Sequence, residues 1–205
     1  MNTAQRIIKN TLFLFGSGVM AQVLGFILVI YLARVLGPED FGKINFAMAC
    51  LACVALVANL GMPLWGTKEI AADKSRALHF IENIVSLRLL LSVGGFFLLG
   101  LLAVFVNKSL DVKWLIVLYG LGMFPMAIRL DWVFQGLERM VFIGLARIVT
   151  AGVNLILVLL LVQGPDALLF IPCCAMLAML TGSVLLILVF RRQSGTVRAR
   201  LNGNP

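Results

Sequence analysis

Polar residues are the exception along this chain. Runs of about 20 apolar residues, enough to cover a hydrocarbon core of about 30 Å, recur near residues 11–33, 44–64, 84–106, 114–134, 141–162 and 167–190. The first run follows Arg6 and Lys9 as a secretory leader would, but it is too long for one and lacks a small-residue cleavage site, so it predicts a retained helix. GPDA (164–167) reads as a tight turn and VNKSLDVK (106–113) as a short polar loop. Residues 66–82, GTKEIAADKSRALHFIE, set Ile70, Leu78 and Ile81 among charges, which predicts a short amphipathic helix on the inner membrane surface. The fold class that follows is all-α: a polytopic bundle of six transmembrane helices over residues 1–190. Residues 191–205 form a basic tail expected to be disordered.

Composition supports the same class. Hydrophobic residues make up 61% of the 205 and charged residues 13%, with a mean hydropathy of +1.05, whereas soluble domains are about half apolar and a quarter charged. The net charge of +8 does not indicate nucleic acid, because the basic residues lie between apolar runs and form no stripe with aromatics. They act instead as topology signals. With the N-terminus cytoplasmic, the inner segments hold Arg6, Lys9, Lys68, Lys74, Arg76, Arg139 and the arginines from Arg191 onward. The outer loops hold only Arg34, Lys43, Lys108 and Lys113. This asymmetry predicts both termini in the cytoplasm, and Trp65, Trp114 and Trp132 fall near span ends, where amphipathic rings favour the interface.

Candidate chemistry is sparse. Cys50 and Cys53 form a C-x-x-C inside an apolar run, where cysteine packs as a small apolar residue. No second pair or histidine cluster completes a metal shell; His79 is the single histidine. With no acidic D-D or D-x-D cluster either, the sequence offers no catalytic residue, metal site or cofactor site, and an enzyme is not expected. What it does offer is polar positions within spans. Arg147, Thr150 and Asn154 stand on one face of the fifth run in register with Gly144. Asn10, Ser17 and Ala21 share a face in the first run, Asn45, Ala49, Ala52 and Asn59 in the second, and Arg88, Ser92 and Gly95 in the third. Such stripes mark either helix–helix seams or a polar cavity. Arg88, Arg129 and Arg147 each fall in the cytoplasmic half of a span, where insertion of a charge costs about 2.5–3.5 kcal/mol at the helix centre. Each either snorkels to the inner headgroups or joins the others around a cavity suited to phosphate oxygens. Arg129 and Asp131 lie about 200° apart on a regular helix and so would not pair. Pro125, four residues before Arg129, predicts a kink, and Asp131 is left to a partner on another helix or to the interface.

Three stretches carry a family resemblance. YLARVLGPEDFGKINFA (31–47), NLGMPLWGTKEIA (59–71) and LDWVFQGLERM (130–140) resemble segments of the lipid-linked polysaccharide and O-antigen repeat-unit flippases. That family forms a branch of the multidrug/oligosaccharidyl-lipid/polysaccharide exporter superfamily. The resemblance covers roughly residues 6–190. It implies a bacterial inner-membrane protein that flips an undecaprenyl-diphosphate-linked oligosaccharide by alternating access. In that role Arg88, Arg129 and Arg147, with Thr150 and Asn154, are candidates for the diphosphate, and Asp131 for a gate or coupling carboxylate. The family has twelve or more spans in two lobes, so six spans resemble the N-terminal lobe alone. A truncated product, a second six-helix partner and a homodimer are the alternatives that follow. Competing functions are a multidrug-exporter-like lobe and a non-transporting membrane assembly subunit.

Overall fold

Gly37 and Pro38 decide how the first two apolar runs are joined. In the computed structural model, residues 3–59, 61–73 and 77–201 are described, with side chains within 10–59, 61–73 and 77–192. The first element, α1 (Thr3–Asn59), is helical on both sides of Gly37, whose φ of 74° and ψ of 176° leave the helical region. Glycine reaches that conformation without a Cβ clash, and the following proline favours an extended residue before it. Unbroken, the 57 residues would measure about 85 Å, far beyond one hydrocarbon core. The break makes two arms, residues 3–36 and 38–59.

The remaining elements are α2 (Met62–Ala72), α3 (Ala77–Phe105), α4 (Leu110–Leu121), α5 (Met123–Ala127), α6 (Asp131–Gly136), α7 (Met140–Leu161), a 3-10 turn at Pro165–Ala167, and α8 (Phe170–Leu201). Among the described residues, five helical stretches are long and apolar enough to cross a membrane, and the first, Asn10–Asn59, holds both arms.

Two packed layers show how the chain runs. One gathers Leu36, Ile44, Leu99, Val112, Val158, Val162, Ile171 and Cys174. The other gathers Ile70, Ile84, Leu130, Phe134, Ile143, Ala146 and Leu186, with Leu14 packed against it. The first arm starts at the second layer and ends at the first. The other arm returns, α3 goes back, α4 to α6 return, α7 goes up and α8 comes down. Six traverses therefore alternate between the layers, and the chain is a multi-pass helical bundle. The Gly37 turn lies in the first layer. There Lys43 Nζ, 2.7 Å from Asp40 Oδ1 and 3.1 Å from Glu39 Oε1, also comes within 4.0 Å of Asp111 on α4. Large apolar side chains on the outside, such as Phe15, Leu90, Phe97 and Phe105, are more than two-thirds exposed. In water that would be an aggregation hazard; against lipid tails it costs nothing.

Three expectations are corrected. The fourth run, expected as one span over 114–134 with a kink at Pro125, keeps membrane-crossing length over Leu110–Gly136 but is three short helices interrupted around Gly122 and Ile128–Leu130 instead of one kinked helix. The amphipathic helix expected over 66–82 is instead α2, which begins after Gly61 (φ 70°) with Pro63 in its first turn and ends at Ala72; Leu78 and Ile81 belong to α3. It does not lie on the bilayer with Ile70 in lipid, because Ile70 is fully buried against α6. That docking is tertiary: a Cβ on Gly136 would meet Ile70 Cβ and the Thr67 carbonyl at 2.9 Å, and one on Gly66 would meet the Trp132 ring at 2.6 Å. The third correction concerns the tail. α8 continues past Phe190 as helical backbone to Leu201, within the stretch expected to be disordered; residues 202–205 lie outside the described residues.

Replacing Gly136 with Ala forces α2 and α6 apart and should cost about 1–3 kcal/mol. Gly152→Ala, with nothing within 4 Å of the added Cβ, should be neutral or slightly stabilising, since alanine is the better helix former. Thermal unfolding of the detergent-solubilised chain separates the two. Equal melting temperatures would mean that α2 is not docked in this way.

Candidate functional site

The fourth traverse has a backbone problem that its neighbours solve. Pro125 brings no N–H to the helix, and the breaks at Gly122 and after Ala127 leave several carbonyls without helical partners. In an apolar medium each orphan would cost several kcal/mol. Ser92 Oγ on α3 donates to the Met123 carbonyl at 3.3 Å. Ser183 Oγ on α8, fully buried, stands 3.0 Å from the Pro125 carbonyl and 2.9 Å from that of Met179. Arg88, only 6% exposed, donates through Nη2 to the Met126 carbonyl (2.7 Å) and Asn59 Oδ1 (3.2 Å), and through Nη1 to the Arg129 carbonyl (3.4 Å). Asn59 is in turn anchored by donating to the Ala55 carbonyl at 2.8 Å. A cavity of about 10 Å³ beside Arg88, lined also by Asn59, Ser92 and Met126, has room for about one water.

The charge pair beside this break is a direct one. Arg129 donates through Nε to Asp131 Oδ2 at 2.7 Å and through Nη2 to Oδ1 at 3.2 Å. The expectation that the two would not pair assumed a regular helix. α5 ends at Ala127 and α6 opens on Asp131, so the residues between them escape the 100° step and the planar guanidinium meets both carboxylate oxygens. Trp132 is corrected as well. It is 3% exposed, its Nε1 has no partner, and its carbonyl lies 3.1 Å from Thr67 Oγ1, while Trp65 and Trp114 are about half exposed.

Arg147 stands apart from this cluster. On α7, Gly144 packs against Ser17 and Phe13 of the first arm, and Thr150 packs against Gly182 of α8. At 100° per residue, Arg147 falls midway between these two directions, so it points along the cleft between the first arm and α8. Its side chain is exposed. Thr150 Oγ1 and Asn154 Oδ1 are buried and without a hydrogen-bond partner. The sequence stripe is thus divided: Thr150 belongs to the α7–α8 seam, while the guanidinium is left outside it.

A family described as "Polysaccharide biosynthesis protein" matches residues 7–202. The chain belongs to this family. Two curated relatives are each named "Putative O-antigen transporter". The one from Shigella dysenteriae is 26% identical over 161 residues, covering 77% of this chain and 40% of that protein. The one from Escherichia coli is 30% identical over 128 residues, 58% of this chain and 30% of that protein. The chain therefore spans well under half the length of either relative. No solved structure matches.

In this polysaccharide biosynthesis chain the candidate residues fall into two groups. Arg88, Arg129 and Asp131 meet at the interrupted span, where both terminal nitrogens of Arg88 and both oxygens of Asp131 are engaged. Arg147 faces open space with no partner among the described residues. Ser183 is the participant that sequence reasoning overlooked; its signal was a lone serine within the leucine-rich TGSVLLILVF.

Asp131→Asn should leave the part-buried Arg129 charge unpaired. A loss of about 1–3 kcal/mol is expected, between the values for exposed and fully buried pairs. A double-mutant cycle with Arg129→Met, read by thermal unfolding, checks it, and zero coupling energy would contradict the observed pair.

Proposed function

We propose that the chain is one six-span lobe of a translocator that carries an undecaprenyl-diphosphate-linked oligosaccharide from the inner to the outer leaflet of a bacterial inner membrane. Both termini are cytoplasmic in this reading, and a second six-helix unit, covalent or separate, supplies the opposite cavity wall. Family membership and the relatives' names support the saccharide substrate. The observation that carries the mechanism is the exposed Arg147 guanidinium in the cleft between the first arm and α8. An unpartnered arginine there offers a planar fork to diphosphate oxygens, and rocking of two lobes around such a site moves it from one side to the other. Arg129 and Asp131, at the separate break in the fourth span, serve as a latch that can open, while Thr150 and Asn154 supply unsatisfied oxygens within the seam that such motion would loosen. A multidrug-exporter reading is less well supported, because Asp131 is already held bidentately and so offers no free carboxylate to a lipophilic cation. A non-transporting assembly subunit would need no cation facing the cleft.

Arg147→Ala should weaken binding of a polyprenyl diphosphate about 10- to 100-fold, the value of a charge-assisted hydrogen bond, while membrane insertion and melting temperature stay unchanged. Arg147→Lys should keep part of the affinity. Binding to the chain in nanodiscs is the measurement. Unchanged affinity in Arg147→Ala would leave this arginine snorkelling to headgroups, and preferential binding of a lipophilic cation would favour the drug-exporter reading.

A further inference from the structure

We infer that the break in the fourth span is a cation site made of neutral oxygens, and that Arg88 is the cation that fills it from within the chain. Interrupted membrane helices expose carbonyls, and such carbonyls are the groups that coordinate small cations in broken transporter helices. Here the Met126 and Arg129 carbonyls and Asn59 Oδ1 converge from the ends of α5 and α1 and from the break itself, and all three accept from one guanidinium. None of these partners is a carboxylate. The nearby carboxylate, Asp131, is taken at both oxygens by Arg129, so the direct partners of Arg88 are dipoles, and Asp131 acts on it only at a distance, opposed by Arg129. The guanidinium is buried, and the space beside it fits about one water but no phosphate group.

Two consequences follow. Arg88 is a positioning residue: by holding the Arg129 carbonyl it fixes the backbone that aims the Arg129 side chain at Asp131. The three oxygens are also already engaged by Arg88, so a soluble cation reaches them only in competition with the guanidinium. Neither consequence depends on the transport reading.

The test uses the full chain in nanodiscs with Trp65→Phe and Trp114→Phe, leaving Trp132, buried near the break, as the sole tryptophan reporter. Arg88→Ala is expected to shift Trp132 emission to the red and to lower the melting temperature. Millimolar guanidinium chloride should restore both, and sodium chloride of equal ionic strength should restore neither. Arg88→Lys, which carries its own point charge into the oxygens, is expected to be intermediate and indifferent to guanidinium. Unchanged emission and melting in Arg88→Ala overturn the inference, as do failure of guanidinium to restore them and equal restoration by sodium chloride. Should Arg88→Ala not accumulate, Arg88→Gln decides. Stability equal to the unsubstituted chain means that neutral donors suffice and overturns the inference; a loss relieved by guanidinium alone upholds it. A loss that guanidinium leaves in place overturns it.

Discussion

A backbone carbonyl inside a hydrocarbon layer must find a hydrogen-bond donor, and no water is there to supply it. The fourth traverse of this bundle breaks that rule locally, at Gly122 and again between α5 and α6, and the rest of the structure is arranged to answer it. α3 contributes Arg88 and Ser92, α8 contributes Ser183, and the end of α1 contributes Asn59 to steady the arginine. Three helices are thereby committed to one interrupted segment. Their polar side chains look isolated along the sequence because each answers a carbonyl on a different element.

This arrangement separates two uses of arginine in an apolar setting. Arg88 is consumed by structure: its terminal nitrogens donate to protein oxygens, and none of its hydrogen-bond partners is a carboxylate. Arg147 has neither burial nor partner among the described residues. Insertion cost alone does not distinguish them, since both carry a full charge into a span. What distinguishes them is the backbone of the neighbouring element, broken beside Arg88 and continuous on both sides of Arg147, where α7 packs through Gly144 and Thr150.

Much of the architecture was legible in the sequence, because six apolar runs of membrane-crossing length leave few alternatives. The polar stripes were also legible as positions. Their partners were not. The Arg129–Asp131 pair depends on three non-helical residues whose dihedrals periodicity does not encode, so an argument from helical angles gave the opposite answer. Trp132 reads as an interfacial ring by its place near a span end. Its burial follows from α2 folding back through Gly66 and Gly136, a contact between segments about 65 residues apart. Ser183 has no polar residue three or four positions away to form a stripe with it. Seams and cavities look alike in one dimension, since both are stripes of small and polar residues.

The turn at Gly37 has a bearing on how the bundle is made. A single non-helical residue joins the first two arms, so the polar segment between them is short, and its charges Glu39, Asp40 and Lys43 are paired with one another. The pair can enter as one preassembled hairpin, its two halves delivered together during synthesis. Its return arm then presents Asn59 at its far end before α3 and the broken span have been made. The earliest part of the chain thus carries the acceptor against which Arg88 will later settle, and the order of synthesis matches the order in which the buried charge needs its company.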